Sequence, residues 1–172
     1  MSPSQTKLTL RRPTLVDKET ILDMIAEFER EESATDGGNL FANFDFESWL
    51  QQGQDWEMGL NLPEGFVPSI QYVSFDDAGQ AVGFLSLRLR LSDYLLNIGG
   101  HIGYSIRPSQ RQKGYAKEQL RLGVQKAFSK NIPKVLVTCD ETNTASKRTI
   151  LACGGSLEDV RHGTERYYIE EC

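Results

Sequence analysis

The chain has 172 residues, of which 39% are hydrophobic and 25% charged, with a formal charge of −5. That is one domain's worth of globular composition rather than a disordered tail, and no apolar run approaches the roughly 20 residues needed to cross a bilayer. The opening MSPSQTKLTLRRP has no secretory apolar stretch, so the expectation is a cytoplasmic protein that does not act at a membrane.

Cys139, Cys153 and Cys172 form an odd set without C-x-x-C spacing, and His101 and His162 are the only histidines. Neither a disulfide framework nor a metal centre is expected. The charge is unevenly placed. Between His101 and Lys134 eight Lys and Arg face one acid, Glu118, whereas Asp17 to Glu64 holds thirteen acids against Lys18 and Arg30. One basic island on an acidic chain does not suit nucleic acid, which needs an extended positive surface. It suits a small polyanion at the island and a cationic group opposite.

In chain order, Lys7–Arg12 alternates as a first strand. Thr14-x-x-Asp17 resembles a capping box ahead of the helical stripe Ile21, Leu22, Ile25 and Phe28. Thr35-Asp36-Gly37-Gly38-Asn39 breaks that helix, and a second is expected from Asp45 to about Gln52. The period then becomes two: a strand from Ser69, a turn at Asp76–Gly79 and a return strand Ala81–Leu91. The return strand carries Leu85, Leu87, Leu89 and Leu91 on one face and Ser86, Arg88 and Arg90 on the other. Ser92–Gly100 reads as a loop and His101–Arg107 as a strand stopped by Pro108. A helix from Gly114 to Lys130, a strand Lys134–Thr138 and a helix Asn143–Cys153 follow. Two last strands lie near Leu157–Val160 and Arg166–Glu170. The expected architecture is a single α/β domain over residues 1–172, with a mixed, twisted central sheet flanked by helices.

The segment HIGYSIRPSQRQKGYAKEQL, from His101 to Leu120, is the most informative. A strand enters a polar loop, and a helix starts at its far end. Unpaired N–H groups and the positive end of the helix dipole converge there. Gly114 permits close backbone approach, Ala116 keeps the first turn small, and Arg111 and Lys113 add positive charge. Pyrophosphate binding fits this chemistry. The segment is neither G-x-x-x-x-G-K-[ST] nor G-x-G-x-x-G.

Arg111-Gln112-Lys113-Gly114-Tyr115-Ala116, after a strand ending at Pro108, resembles the Q/R-x-x-G-x-G/A signature of the GNAT superfamily of N-acetyltransferases. The strand Val135–Thr138, then Asn143, Ser146 and Gly154, resembles that family's next strand and its N-x-x-[AS] helix. The order of the remaining elements extends the resemblance over nearly the whole chain. It implies acetyl-CoA as cosubstrate, with the amides of Gln112, Lys113, Gly114, Tyr115 and Ala116 and the Arg111 side chain on the pyrophosphate. It places Tyr104, Ser105 and Ile106 along the pantetheine arm, with an N–H near Ile106 on the thioester carbonyl. Asn143 and Ser146 would lie beside the pantetheine, and a homodimer is a family-level expectation.

The implied reaction is direct attack of a primary amine on the thioester in a ternary complex, without a metal. Many relatives carry a Tyr general acid seven residues after the Asn; here that position is Ile150, leaving Tyr104, Tyr115, water or unassisted departure of the thiolate. His101 is the first candidate for general base, ahead of Asp140 and His162. Glu27, Glu29, Glu31, Glu32 and Asp36 would attract a cationic acceptor beside Phe41, Phe44 and Trp49. Two alternatives remain: a non-catalytic acyl-CoA-binding or sensing module, and an acyltransferase for a different acyl group.

Overall fold

Asp17 anchors the first helix in the computed structural model, which describes residues 7–172; the first six residues of the expected 1–172 domain lie outside the described part. Its carboxylate accepts the Thr14 N–H at 2.8 Å, the returning half of the expected capping box, and two Arg11 N–H groups at 2.8 and 2.9 Å. These Arg11 bonds hold Asp17 below the usual carboxylate range. Helix α1 (Lys18–Arg30) then buries Ile21, Met24, Ile25 and Phe28 along one stripe. Helix α2 (Phe46–Glu57), capped by Asp45 on the Ser48 N–H, outruns the expected stop at Gln52 because Trp56 continues the buried face of Phe46 and Trp49.

Strands β1 (Thr9–Arg11), β2 (Ser69–Phe75), β3 (Ala81–Arg88) and β4 (Ile102–Ile106) form an antiparallel sheet in chain order. Between β3 and β4, in the stretch expected to be a loop, lies the short helix α3 (Asp93–Asn97). The Ser92 hydroxyl caps it by accepting the Leu95 N–H, and none of its residues is buried. Helix α4 (Tyr115–Ser129) leads to β5 (Lys134–Asp140), followed by α5 (Thr144–Ala152), β6 (Ser156–Arg161) and β7 (Thr164–Glu170). These last three strands form a second antiparallel sheet in the order β5-β7-β6.

The fold is therefore α/β with helix-flanked sheets. Within it, the strand ladders divide into two antiparallel sheets, where a mixed central sheet was expected. The strands β4 and β5 touch at a short seam: the His101 N–H donates to the Leu136 carbonyl at 2.8 Å, and the Gly99 N–H donates to the Thr138 hydroxyl at 2.8 Å. Gly99 and Gly100 adopt φ values of 106° and 61°, turning the chain into this approach. A Cβ at Gly100 would strike the Leu136 carbonyl.

The first sheet has a core on each face. Leu85 and Leu87 of β3 pack with Leu120 and Val124 of α4, Ile150 of α5 and Val135 and Val137 of β5. Phe84, on the opposite face, packs with Phe28 of α1 and Phe46 and Trp49 of α2. The α4 core thus spans both sheets, while α1 and α2 close the far side of the first. Among the described residues no helix is long and apolar enough to cross a membrane.

Candidate active site

Beyond the seam the two sheets part, leaving an open edge on β4. In an antiparallel ladder, the backbone groups of alternate residues point towards and away from the partner strand. Arg107 donates to the Val82 carbonyl and the His101 carbonyl accepts from Arg88, so Gly103 and Ser105 share that phase and face β3. Tyr104 and Ile106 are out of phase, and their backbone groups face the gap. The Ile106 carbonyl there accepts the Arg111 Nε–H at 2.9 Å, while its N–H has no partner among the described residues.

A tight turn at Pro108–Gln110 and residues 111–114 connect this edge to α4. Gln112 and Gly114 stand at φ 62° and 85°, two left-handed residues within three, a pattern that gathers successive N–H groups on one concave side. The N–H groups of Gln112, Gly114, Tyr115 and Ala116 take no partner among the described residues. Those of Tyr115 and Ala116 belong to the first turn of a 15-residue helix, where the dipole adds positive potential. Lys113 reaches back to the Gln110 side chain at 3.2 Å. Arg111 does not extend over the loop; its guanidinium is folded onto the Ile106 carbonyl and the Ser33 hydroxyl, at 2.9 and 2.7 Å.

The loop is braced by residues the sequence had placed among separate charged patches. Arg107, 3% exposed, donates to Glu27 at 2.9 and 3.1 Å and to Asp23 at 2.8 Å. Glu27 also accepts the Ser109 N–H at 2.7 Å and the Ser109 hydroxyl at 2.8 Å. Burial pushes Glu27 up, but the bonds from Ser109 and Arg107 together outweigh it and hold the carboxylate below its usual range. No sequence periodicity marks this pair, because each partner is one charge among many.

On the α4 side of the gap, the Tyr104 hydroxyl lies 3.2 Å from the Ser146 hydroxyl. Burial is the main cause that pushes the Tyr104 phenol up to about 12. Asn143 caps α5 by accepting the Ser146 N–H at 3.1 Å. Ile150 is fully buried in the core. The thiols of Cys139 and Cys153 are both pushed up by burial, the opposite of what a covalent nucleophile needs.

His101 sits at the seam. Its Nδ1 accepts the Leu136 N–H at 2.9 Å, so the ring proton resides on Nε2. Burial, followed by the nearby Arg88 charge, lowers it to about 4. A proton taken on Nδ1 would break the Leu136 bond, and this geometry suits a joint better than a base. Asp140 is exposed and accepts from the Thr142 N–H and hydroxyl in a turn before α5. His162 is exposed at φ 50° in the β6–β7 turn. On the acceptor side Trp49 is core and Phe41 half-exposed, while Glu29, Glu31, Glu32 and Asp36 are exposed. Among the described residues no group of three His, Cys, Asp or Glu is arranged to hold a metal.

An open strand edge beside a cluster of unpaired amides is an arrangement able to hold a long, phosphate-bearing ligand. The family model for the acetyltransferase (GNAT) domain matches residues 7–156, and the chain belongs to that family. Solved structures share the fold. The microcin C7 self-immunity acetyltransferase MccE, in complex with acetyl-CoA and AMP, is 17% identical with a TM-score of 0.65, over 96% of this chain and 93% of its own. A GNAT-family acetyltransferase from Bacillus anthracis is 18% identical with a TM-score of 0.63, over 96% of both chains. The yncA structure from Salmonella typhimurium, with its cofactor acetyl-CoA, is 15% identical with a TM-score of 0.61, over 95% and 93%. Comparison with curated proteins finds no match.

Proposed function

We propose that this protein transfers an acetyl group from acetyl-CoA to a primary amine by direct attack in a ternary complex. The observation that carries the reading is the continuity of unpaired backbone donors from the β4 edge to the α4 N-terminus. Pantetheine has amides that can pair with the Tyr104 backbone as an added strand would. The N–H groups of Gln112, Gly114, Tyr115 and Ala116 suit the pyrophosphate that follows it. Arg111 supports this site by fixing the loop to β4 and to Ser33, just beyond α1.

Acetyl-CoA supplies a thioester activated towards amines. The Ile106 N–H, aimed into the gap, donates to the carbonyl oxygen as it gains negative charge. Tyr104 takes the place of the Tyr that Ile150 replaces. Held at about 12 it keeps its proton at neutral pH, so its part is a hydrogen bond to the departing sulfur rather than complete transfer. His101 positions β4 against β5, and the acceptor nitrogen loses its proton to water.

The test is release of CoA thiol from acetyl-CoA across a panel of amines, alongside thermal-shift measurement of acetyl-CoA binding. Release that depends on an amine is the expected result. Binding without release from any amine would make the chain an acyl-CoA-binding module, and absence of both would remove the site assignment.

A further inference from the structure

Arg88 ends β3 on the α1–α2 face of the first sheet, in phase with Phe84 and Ser86. Its guanidinium lies flat over Gly103 of β4: a Cβ built there would stand 2.9 Å from Nη2 and 3.3 Å from Cζ. A side chain at 103 would push the guanidinium aside. Nη1 donates to the carbonyls of Gly99 and Gly100 at 2.9 and 3.3 Å. Nε and Nη2 have no hydrogen-bond partner among the described residues.

The other largely buried arginines are neutralised within the fold: Arg107 by Glu27 and Asp23, Arg166 by Asp159. Arg88 has no carboxylate within ion-pair distance among the described residues. Burial is the main influence on it and disfavours its charge, with Asp36 the leading opposing one. A half-buried cation without a carboxylate partner is costly, and an anion from outside relieves that cost. The edge left open, Nε with Nη2, is the one that presents two parallel N–H groups to a carboxylate.

The position matters as much as the charge. Gly103 directly precedes Tyr104, whose backbone faces the gap. The loop carrying Asp36 and Gly37 is tied over this part of β4 by the Ser105 hydroxyl, which donates to the Asp36 carbonyl at 2.7 Å. Arg88 therefore lies beside the strand on which the acyl group would rest, on the face opposite the Tyr104 side chain.

We infer that Arg88 binds a carboxylate of the acceptor, so that the substrate is an amino acid or another amine bearing a carboxyl group. This rests on the acetyl-transfer reading above. The acidic α1–α2 segment would then favour the ammonium end of the same molecule, and Arg88 the carboxylate end.

Two measurements separate this inference from the reading beneath it. The first is calorimetric binding, to the CoA-loaded protein, of unreactive N-acetylated α-, β- and γ-amino acids and of their carboxamides. At least one acid should bind tenfold or more tightly than its carboxamide, and Arg88→Gln should bring that ratio close to one. Equal binding of every acid and its carboxamide by the parent protein, or a ratio that survives Arg88→Gln, would overturn the inference. The parent comparison decides the matter even if the variant does not fold. The second is CoA-thiol release with the free amino acids and their amides. Acid-selective binding without turnover of any amine keeps the Arg88 site and removes acetyl transfer. Turnover of amines without acid-selective binding does the reverse.

Discussion

Replacing His101 with Asn removes a titrating ring while keeping an oxygen able to accept the Leu136 N–H. The parent ring, 7% exposed and held at about 4 rather than 6.5, stays neutral in the fold down to about pH 4. In the unfolded chain it takes a proton as pH falls through 6.5. Above that pH both states are neutral and the ring contributes no pH dependence. Between 6.5 and 4 the unfolded state binds more protons, so stability falls, and below 4 the loss levels off. At about 1.4 kcal/mol per pH unit the full loss is about 3 kcal/mol. Urea unfolding of parent and His101→Asn proteins from pH 7.5 to 3.5 isolates it, because the shared carboxylates cancel in the difference. The parent should lose about 3 kcal/mol relative to the variant across that window. A difference that stays constant from pH 7 to 4.5 would refute the burial argument. If the variant abolished the neutral limb of the pH–rate profile, His101 would be the base after all.

Five other substitutions test three separate parts of the structure. Glu27→Ala leaves the buried Arg107 only the exposed Asp23, and should cost about 3–5 kcal/mol in urea unfolding. Asp23→Asn should cost under about 1 kcal/mol, and equal costs would contradict the clamp. Gly37 and Gly79 both stand at φ 81°, but a Cβ on Gly37 would strike the Gly103 carbonyl whereas Gly79 faces open space. Gly79→Ala should therefore cost about 1 kcal/mol of backbone strain, and Gly37→Ala about 1–3 kcal/mol more; matching Tm losses would show that crowding is absent. Tyr104→Phe should lower kcat about tenfold, the worth of one hydrogen bond, with little change in KM for acetyl-CoA. A rise in KM alone would assign Tyr104 to binding.

The elements were legible wherever an apolar period accompanies burial. The stripe of α1, the alternation of β2 and β3 and the glycine-led start of α4 all stand near their expected places. The helix α3 was missed because it buries nothing and so carries no stripe; the Ser92 cap was its only signal. The loop from Arg111 to Ala116 was readable because its chemistry is local, the open amides of one turn and one helix end. His101, Arg88 and Glu27 were not, since their character comes from neighbours distant in sequence. Sequence gives Arg88 and Arg90 equal standing on one strand face, yet the first lies over Gly103 and the second is exposed. It likewise presents His101 as a ring of ordinary basicity, because nothing local announces the Leu136 amide at its Nδ1.

The seam between the two sheets marks where strand pairing gives way to an exposed strand edge. Each sheet keeps a complete ladder of its own, and the α4 core adheres to both. Two backbone donations, to Leu136 and Thr138, the imidazole contact and the packing of Ile102 in one core with Val135 and Val137 join β4 to β5. In amide hydrogen exchange, Tyr104 and Ile106 should exchange quickly in the free protein and slowly once a ligand lies along the β4 edge. Leu136, whose N–H is bonded to the His101 ring instead of a strand, reports the integrity of the seam in the same experiment.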